Sequence, residues 1–208
     1  MNEPTRILMN HVLDSLARGQ ALQSKLSPEI LNIHGWTGNR VRHFLNNLGG
    51  LPGVNFLEVG TFNGATITAA AYGNAGQFTT IDIGDAPSTL RDNREKFDDK
   101  INIDFIQGDC WEVDLKGIQA GINVYFFDGP HEKEDHARAL AYYLARLAEQ
   151  FIFVVDDWED EKKVRTGTFE GIKFLGLAPV FIAEIGLGEH EAGDGWWNGL
   201  GVFVLRKP

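Results

Sequence analysis

The stretch Val54-Asn55-Phe56-Leu57-Glu58-Val59-Gly60-Thr61-Phe62-Asn63-Gly64-Ala65-Thr66-Ile67 constrains this chain more than any other. A short apolar run closes on an acid, and two glycines four apart then lead into Ala- and Thr-rich sequence of helical character. The pattern predicts strand, tight turn, helix. In open α/β sheets such a turn lies at the carboxyl end of a strand, where ligands bind. Gly60 and Gly64 carry no Cβ, so backbone can approach a ligand closely. Glu58 offers an acceptor suited to ammonium or hydroxyl groups. A phosphate cradle would want Lys and Ser/Thr after the glycines, and Ala65-Thr66 stand there instead. The expected ligand is a nucleoside-like cofactor without phosphates.

Further strands follow, each with an acid at or just beyond its end. Gln77–Ile83 contains Asp82, 22 residues beyond Gly60. That is the spacing at which a carboxylate accepts from both ribose hydroxyls, although Asp82 could also only cap a turn. Ile101–Gln107 runs into Gly108-Asp109-Cys110, where Asp109 could cap a helix starting near Trp111. Cys110 reads as a small packing residue, since no base accompanies it. Ile122–Asp128 is apolar up to its last residue but for Asn123, as suits a strand buried on both faces, and continues as Gly129-Pro130-His131. The helix after it carries Glu132, Glu134 and Asp135 in its first turn, with Ala137, Leu140, Ala141, Leu144 and Leu147 expected on its buried face. Phe151–Val155 ends in Asp156-Asp157-Trp158.

Asp128 and Asp156 are 28 residues apart, room for one helix and one strand. A parallel strand–helix–strand unit would bring both to one sheet edge, with Asp157 beside them. Three crowded carboxylates raise one another's pKa unless something neutralises them. Oxygen ligands without a Cys or His requirement favour Mg²⁺. Asp156-Asp157 as a helix cap and His131 as a turn histidine are the plainer alternatives.

The motifs together resemble the class I S-adenosylmethionine (SAM) methyltransferases. Glu58-Val-Gly-Thr-Phe-Asn-Gly64 is similar to their first motif, in the form found among O-methyltransferases. Asp128-Gly-x-His131 and Asp156-Asp157 resemble the Mg²⁺-dependent branch acting on sugar hydroxyls, the macrocin O-methyltransferase type. The likeness runs over roughly residues 54–160 and departs at Pro130, which stiffens the turn before His131. It implies that Glu58, Gly60, Thr61, Phe62, Gly64, Asp82, Asp109, Cys110 and Asp128 face SAM, with Asp109 near the adenine amino group. It implies further that Asp128, Asp156 and Asp157 hold Mg²⁺ and that His131 removes the acceptor proton, His136 being a rival base.

The flanks complete the expected architecture. Residues 4–25 predict an amphipathic helix through Ile7, Leu8, Val12, Leu16 and Leu22. A loop through His34–Gly38 follows, and Thr37 could cap a helix reaching Leu48. These residues form an expected N-terminal cap (1–50) before a methyltransferase domain (51–208), with the loop as a lid. Packing of the first helix on a sheet edge or another subunit leaves a homo-oligomer open. After Val164–Leu175, a helix, come two strands, Pro179–Ile185 and Gly199–Leu205. The Gly-rich loop between them holds Trp196, Trp197 and two weaker acceptor-contact candidates, His190 and Glu191. The fold class expected is α/β: a Rossmann-like seven-stranded sheet, mostly parallel, with the last strand antiparallel.

A net charge of −10 argues against nucleic acid as the main partner. One cysteine fits a reducing compartment, and no apolar run approaches the roughly 20 residues that span a membrane. The expectation is a cytoplasmic O-methyltransferase of a small hydroxylated molecule, a sugar or glycoside. Its alternatives are a metal-independent N- or O-methyltransferase using His131, and a SAM-binding scaffold without turnover.

Overall fold

The apolar runs become seven strands: β1 (Val54–Val59), β2 (Gly76–Asp82), β3 (Asp104–Gln107), β4 (Ile122–Phe127), β5 (Leu147–Val155), β6 (Ala178–Ile185) and β7 (Leu200–Arg206). This computed structural model of the protein describes residues 3–85, 88–97, 100–188 and 193–208. The strands form one sheet in the order β3-β2-β1-β4-β5-β7-β6. Neighbours from β3 to β5 pair in parallel, and β7 runs antiparallel to both β5 and β6. The expected Rossmann-like architecture is therefore present.

The order reverses between β1 and β4, which creates a crevice beyond their carboxyl ends. Alternation along the strands divides the core into two layers. Phe56, Val124 and Ile152 face helices α1 (Glu3–Gln20), α3 (Asn39–Leu48) and α4 (Ala65–Ala71), where Val12, Phe44 and Ile67 meet them. Tyr125, Phe127 and Phe153 face α6 (Lys133–Tyr143) and α7 (Thr166–Phe174), packing with Leu140, Tyr143 and Ile172. Two shorter pieces, α2 (Pro28–Leu31) and α5 (Ser88–Lys96), complete the helices described.

Several local expectations are corrected. The first helix stops at Gln20, and Leu22 takes a positive φ of 54°, so it breaks the helical run instead of extending its stripe. Helix α1 buries Thr5, Leu8, Val12, Ser15 and Gly19, leaving Ile7 exposed. A Cβ on Gly19 would lie 2.9 Å from Phe44 Cβ, so the small residue sets how closely α1 and α3 approach. Gly38, not Thr37, is the N-cap of α3. Asp109 starts a turn, not a helix: its Oδ1 accepts from Trp111 N at 2.8 Å, and the next helical piece is a 3₁₀ turn at Leu115–Gly117. The buried stripe of α6 is His136, Ala139, Leu140 and Tyr143. This stripe keeps the i, i+3, i+4, i+7 spacing but is rotated from the alanine-based one, because it puts the large Tyr143 and Leu140 against the sheet. Among the described residues no helix is long and apolar enough to cross a membrane.

Candidate active site

Every acid expected to matter lies at the carboxyl side of the sheet. The loops after β1 and β4 touch there: Gly60 has φ +94°, and a Cβ at that position would collide with the Asp128 carbonyl. Only glycine lets the two turns close on each other, so the strain of any other residue at Gly60 would be both torsional and steric. Phe62 also has a positive φ of 45°. Its turn is held by Asp82, whose Oδ2 accepts from Thr61 N at 2.8 Å and Phe62 N at 3.0 Å. Asp82 Oδ1 accepts from Gly84 N at 3.0 Å. Asp82 thus braces the glycine turn while still facing the crevice, so the turn-capping role is present whatever it does for a ribose.

Glu58 lies beneath this turn, fully buried. Its Oε2 accepts from Thr80 Oγ1 at 2.6 Å, and Thr80 is 2.6 Å from Thr61 Oγ1, while Oε1 has no partner. Burial pushes its pKa up to about 8, against the opposing pull of the nearby Thr66 and Thr80 hydroxyls. Asp128 and Asp156 are raised well above the carboxylate range, first by desolvation and then by each other's neighbourhood of acids.

A cavity of about 590 Å³ spans these groups. Gly60, Thr61, Asp82, Asp128, Asp156 and Asp157 line its floor, and among the described residues no Lys or Arg lines it. A second hollow of about 310 Å³ continues beside it, lined by Ile81, Ile83, Asp109, Cys110, Trp111 and Pro130. Cys110 is buried here, with its thiol pushed up to about 12 by burial, so it packs and does not attack.

Asp128, His131 and Asp157 converge: one ligand atom from each lies within 4.8 Å of the others. His131 Nδ1 is 3.3 Å from Asp157 Oδ2. Asp157 Oδ1 accepts from Asn198 Nδ2 at 2.9 Å. Asp157, Trp197 and Asn198 all have positive φ, of 51°, 37° and 49°. Such backbone is costly for non-glycine residues and persists where surrounding contacts over-determine it. Asp156 lines the same cavity, buried with Oδ1 unpartnered, and stands outside this converging group of three. His136 is buried against Phe127 with neither ring nitrogen partnered, and burial lowers its pKa to about 4. It does not line the cavity.

Sequence reading missed three features here. Trp36, 68% exposed, stacks on Phe62 at 5.0 Å between ring centroids and forms one cavity wall. Trp111 lies under Arg138, whose Cζ is 4.1 Å from the ring centroid. Asn198 reaches Asp157 from a loop 41 positions on, with no local pattern to announce it. Of the tryptophan pair, Trp196 is the packing one: it is buried edge-on to Phe44, its Nε1 donating to Gln20 Oε1 at 2.8 Å. Trp197 lines the cavity. His190 and Glu191 lie outside the described residues.

A family model described as a methyltransferase domain matches residues 57–158, a little under half of the chain. That span runs from β1 to just beyond the Asp156-Asp157 pair and contains the site's acids. Residues 57–158 are thus a methyltransferase domain. No curated protein sequence matches it. The fold of this methyltransferase is similar to that of the O-methyltransferase from Bacillus cereus in complex with SAH, the demethylated cofactor. The two share 15% identity with TM-score 0.62, covering 100% of this chain and 92% of that one. Cofactor-bound Rv0187 from MTB is similar at 17% identity and TM-score 0.61, over 96% and 91% of the two chains. TrmN from Thermus thermophilus is similar at 16% identity and TM-score 0.61, over 86% of this chain and 52% of that one.

The residues present suit SAM. The acidic floor of the cavity complements a ligand carrying sulfonium and ammonium charges, and the orphaned Glu58 oxygen lies beneath the glycine turn that borders it.

Proposed function

We propose that this methyltransferase places the SAM methyl group on a hydroxyl of a small acceptor, a sugar, glycoside or related natural product, with a divalent cation in support. The convergence of Asp128, His131 and Asp157 in the cavity shared with the glycine turn carries this reading. The O-methyltransferase from Bacillus cereus, similar over its whole fold, supports oxygen as the accepting atom. An acidic floor without Lys or Arg speaks against phosphorylated acceptors and nucleic acid. The single, buried cysteine suits the cytoplasm.

The roles follow from position. Asp128 and Asp157 would hold Mg²⁺, with the free oxygen of Asp156 behind them and Asn198 orienting Asp157. Mg²⁺ there would lower the pKa of an acceptor hydroxyl and stabilise its alkoxide. His131, against Asp157 and open to the cavity, takes the hydroxyl proton. The Gly60 turn and Asp82 hold the methyl donor in line, and Trp36 with Phe62 offers a flat apolar wall to the acceptor. SAM brings its own leaving group, so alignment and exclusion of water are what the chain supplies.

A second reading has its own observation. The 3.3 Å His131–Asp157 contact is a carboxylate-oriented imidazole, able to act as a base without metal. Methyl transfer from labelled SAM to a panel of sugar-bearing acceptors, run with Mg²⁺ and with EDTA, separates the two. Transfer lost in EDTA and restored by Mg²⁺ supports the metal-assisted reading, and transfer untouched by EDTA supports the second. Absence of transfer to any hydroxylated acceptor, with transfer to amines instead, would overturn O-methylation.

A further inference from the structure

Two loops from distant parts of the chain border the cavity, and they are tied to each other. The cap loop contributes Gly35, Trp36 and Thr37, and the loop before β7 contributes Trp197 and Asn198. At the start of α3, Asn39 N donates to the Gly193 carbonyl at 2.6 Å, and Asn39 Nδ2 donates to Asp194 Oδ1 at 2.9 Å. Gly38 closes on the same segment, since a Cβ there would collide with the Gly195 carbonyl. Its backbone is extended, at φ −85° and ψ 161°, so close approach and not torsion is what demands glycine. Trp196 is then held under the cap by Gln20 and Phe44.

Beyond Asn198 the chain is fixed again. Glu159 N donates to the Asn198 carbonyl at 3.0 Å, and Trp158 N donates to the Gly199 carbonyl at 3.2 Å. Between the two anchorages stand Trp197 and Asn198, at φ of 37° and 49°. Neither is glycine, so this backbone relaxes unless both ends are held. What the turn delivers is the Asn198 side chain, donating to Asp157 Oδ1. One anchorage belongs to the segment that carries Asp157 itself. The other comes from the cap, whose loop and α3 N-terminus hold none of the site's acids.

We propose that Gly38 and Asn39 are positioning residues for the metal site. They fasten residues 193–196 to the N-terminus of α3 and so keep Trp197 and Asn198 in their strained turn. Asn198 in turn keeps Asp157 converged on Asp128 and His131. The inference rests on the reading of Asp128 and Asp157 as metal ligands, and it gives the cap a part in the site beyond covering the cavity.

Two variants break the fastening in different ways. Gly38→Ser inserts the colliding Cβ while supplying a good helix N-cap, and Asn39→Asp sets a carboxylate against Asp194. Each is read by Mn²⁺ titration of the SAH-saturated chain. Each is also read on the free chain by the Asn198 side-chain amide signal in ¹H–¹⁵N spectra, assigned by its loss in Asn198→Ala. Both variants should weaken Mn²⁺ by at least about tenfold, within the range expected for losing a group that orients a metal ligand, and should move the Asn198 signal. Added to Asn198→Ala, neither should cost anything further, because all act along one path. Asn39→Asp combined with Asp194→Asn rebuilds the pair in reverse and should restore affinity and signal. Folded variants with wild-type Mn²⁺ affinity would overturn the proposal. So would weakened Mn²⁺ binding with the Asn198 signal unmoved, or additivity with Asn198→Ala, since the cap would then act by another route. Should Gly38→Ser fail to fold, the Asn39 and Asp194 variants carry the test by themselves. A wild type that binds no Mn²⁺ would remove the metal reading. The Asn198 signal then decides alone: moved in Asn39→Asp and restored in the reversed pair, it sustains the fastening, and unmoved it overturns it.

Discussion

Replacing Glu58 by Gln removes one buried titration and should reshape the pH dependence of stability. Glu58 is fully buried, one oxygen is unpartnered, and its pKa is pushed from 4.5 to about 8 by burial. The folded chain therefore holds a proton that the unfolded chain has released above pH 4.5. Because the folded pKa is raised, the stability linked to this group is full below 4.5 and is lost as pH climbs towards 8. Each pH unit in that window costs about 1.4 kcal/mol, so the penalty grows by about 2.5 kcal/mol between pH 5 and pH 7. For a chain of this size that is about 5–10 °C in Tm. The Gln side chain keeps an acceptor for Thr80 and does not titrate. Asp128 and Asp156 are also raised in both proteins, first by burial and then by the acids after β5. Glu58 is a lesser cause for Asp128, so its loss eases that shift and adds to the gain without reversing it. Chemical or thermal denaturation of the cofactor-free and metal-free proteins should show the Glu58→Gln variant gaining on the wild type by that amount from pH 5 to pH 7. Parallel profiles would refute the reasoning, because they would mean that Glu58 is ionised in the fold.

Four further perturbations have definite expected outcomes. Gly60→Ala forces an L-residue to φ +94° and drives its Cβ into the Asp128 carbonyl, so it should cost at least about 1–2 kcal/mol in stability and abolish SAM binding measured by calorimetry. His131→Gln should lower kcat by about 10²–10⁴ with SAM affinity unchanged, as seen in steady-state kinetics set beside equilibrium binding. Asn198→Ala frees Asp157 Oδ1 and should weaken Mg²⁺ by about 10–100-fold in titrations of SAH-bound protein. His136→Leu should remove a loss of stability on the acid side. Its folded pKa of about 4 lies below 6.5, so the wild type weakens as pH falls through that interval and the variant does not, as acid denaturation would show.

The sheet was legible because its signals are local. Apolar runs ending in Glu58, Asp82, Asp128 and Asp156 mark strand tips, and one glycine turn places them all on the same edge. Periodicity was less secure where small residues could fill either face. On α6, Ala137 and Ala141 suggested one stripe, but the bulk of Tyr143 selected another and carried His136 into the core. The site's remaining parts come from distant segments, and no spacing rule reaches them. Asn198 meets Asp157 only because β7 returns beside β5. The grouping of His131 with Asp128 and Asp157 likewise depends on how the loops after β4 and β5 meet, which no spacing along the chain announces.

The most direct test of the central claim is anomalous diffraction from crystals of the protein grown with SAH and soaked in Mn²⁺ as a stand-in for Mg²⁺. The account predicts a single strong peak at bonding distance from Asp128 and Asp157, beside SAH seated on the Gly60 turn. SAH in place with no peak between those two aspartates at saturating Mn²⁺ would contradict it.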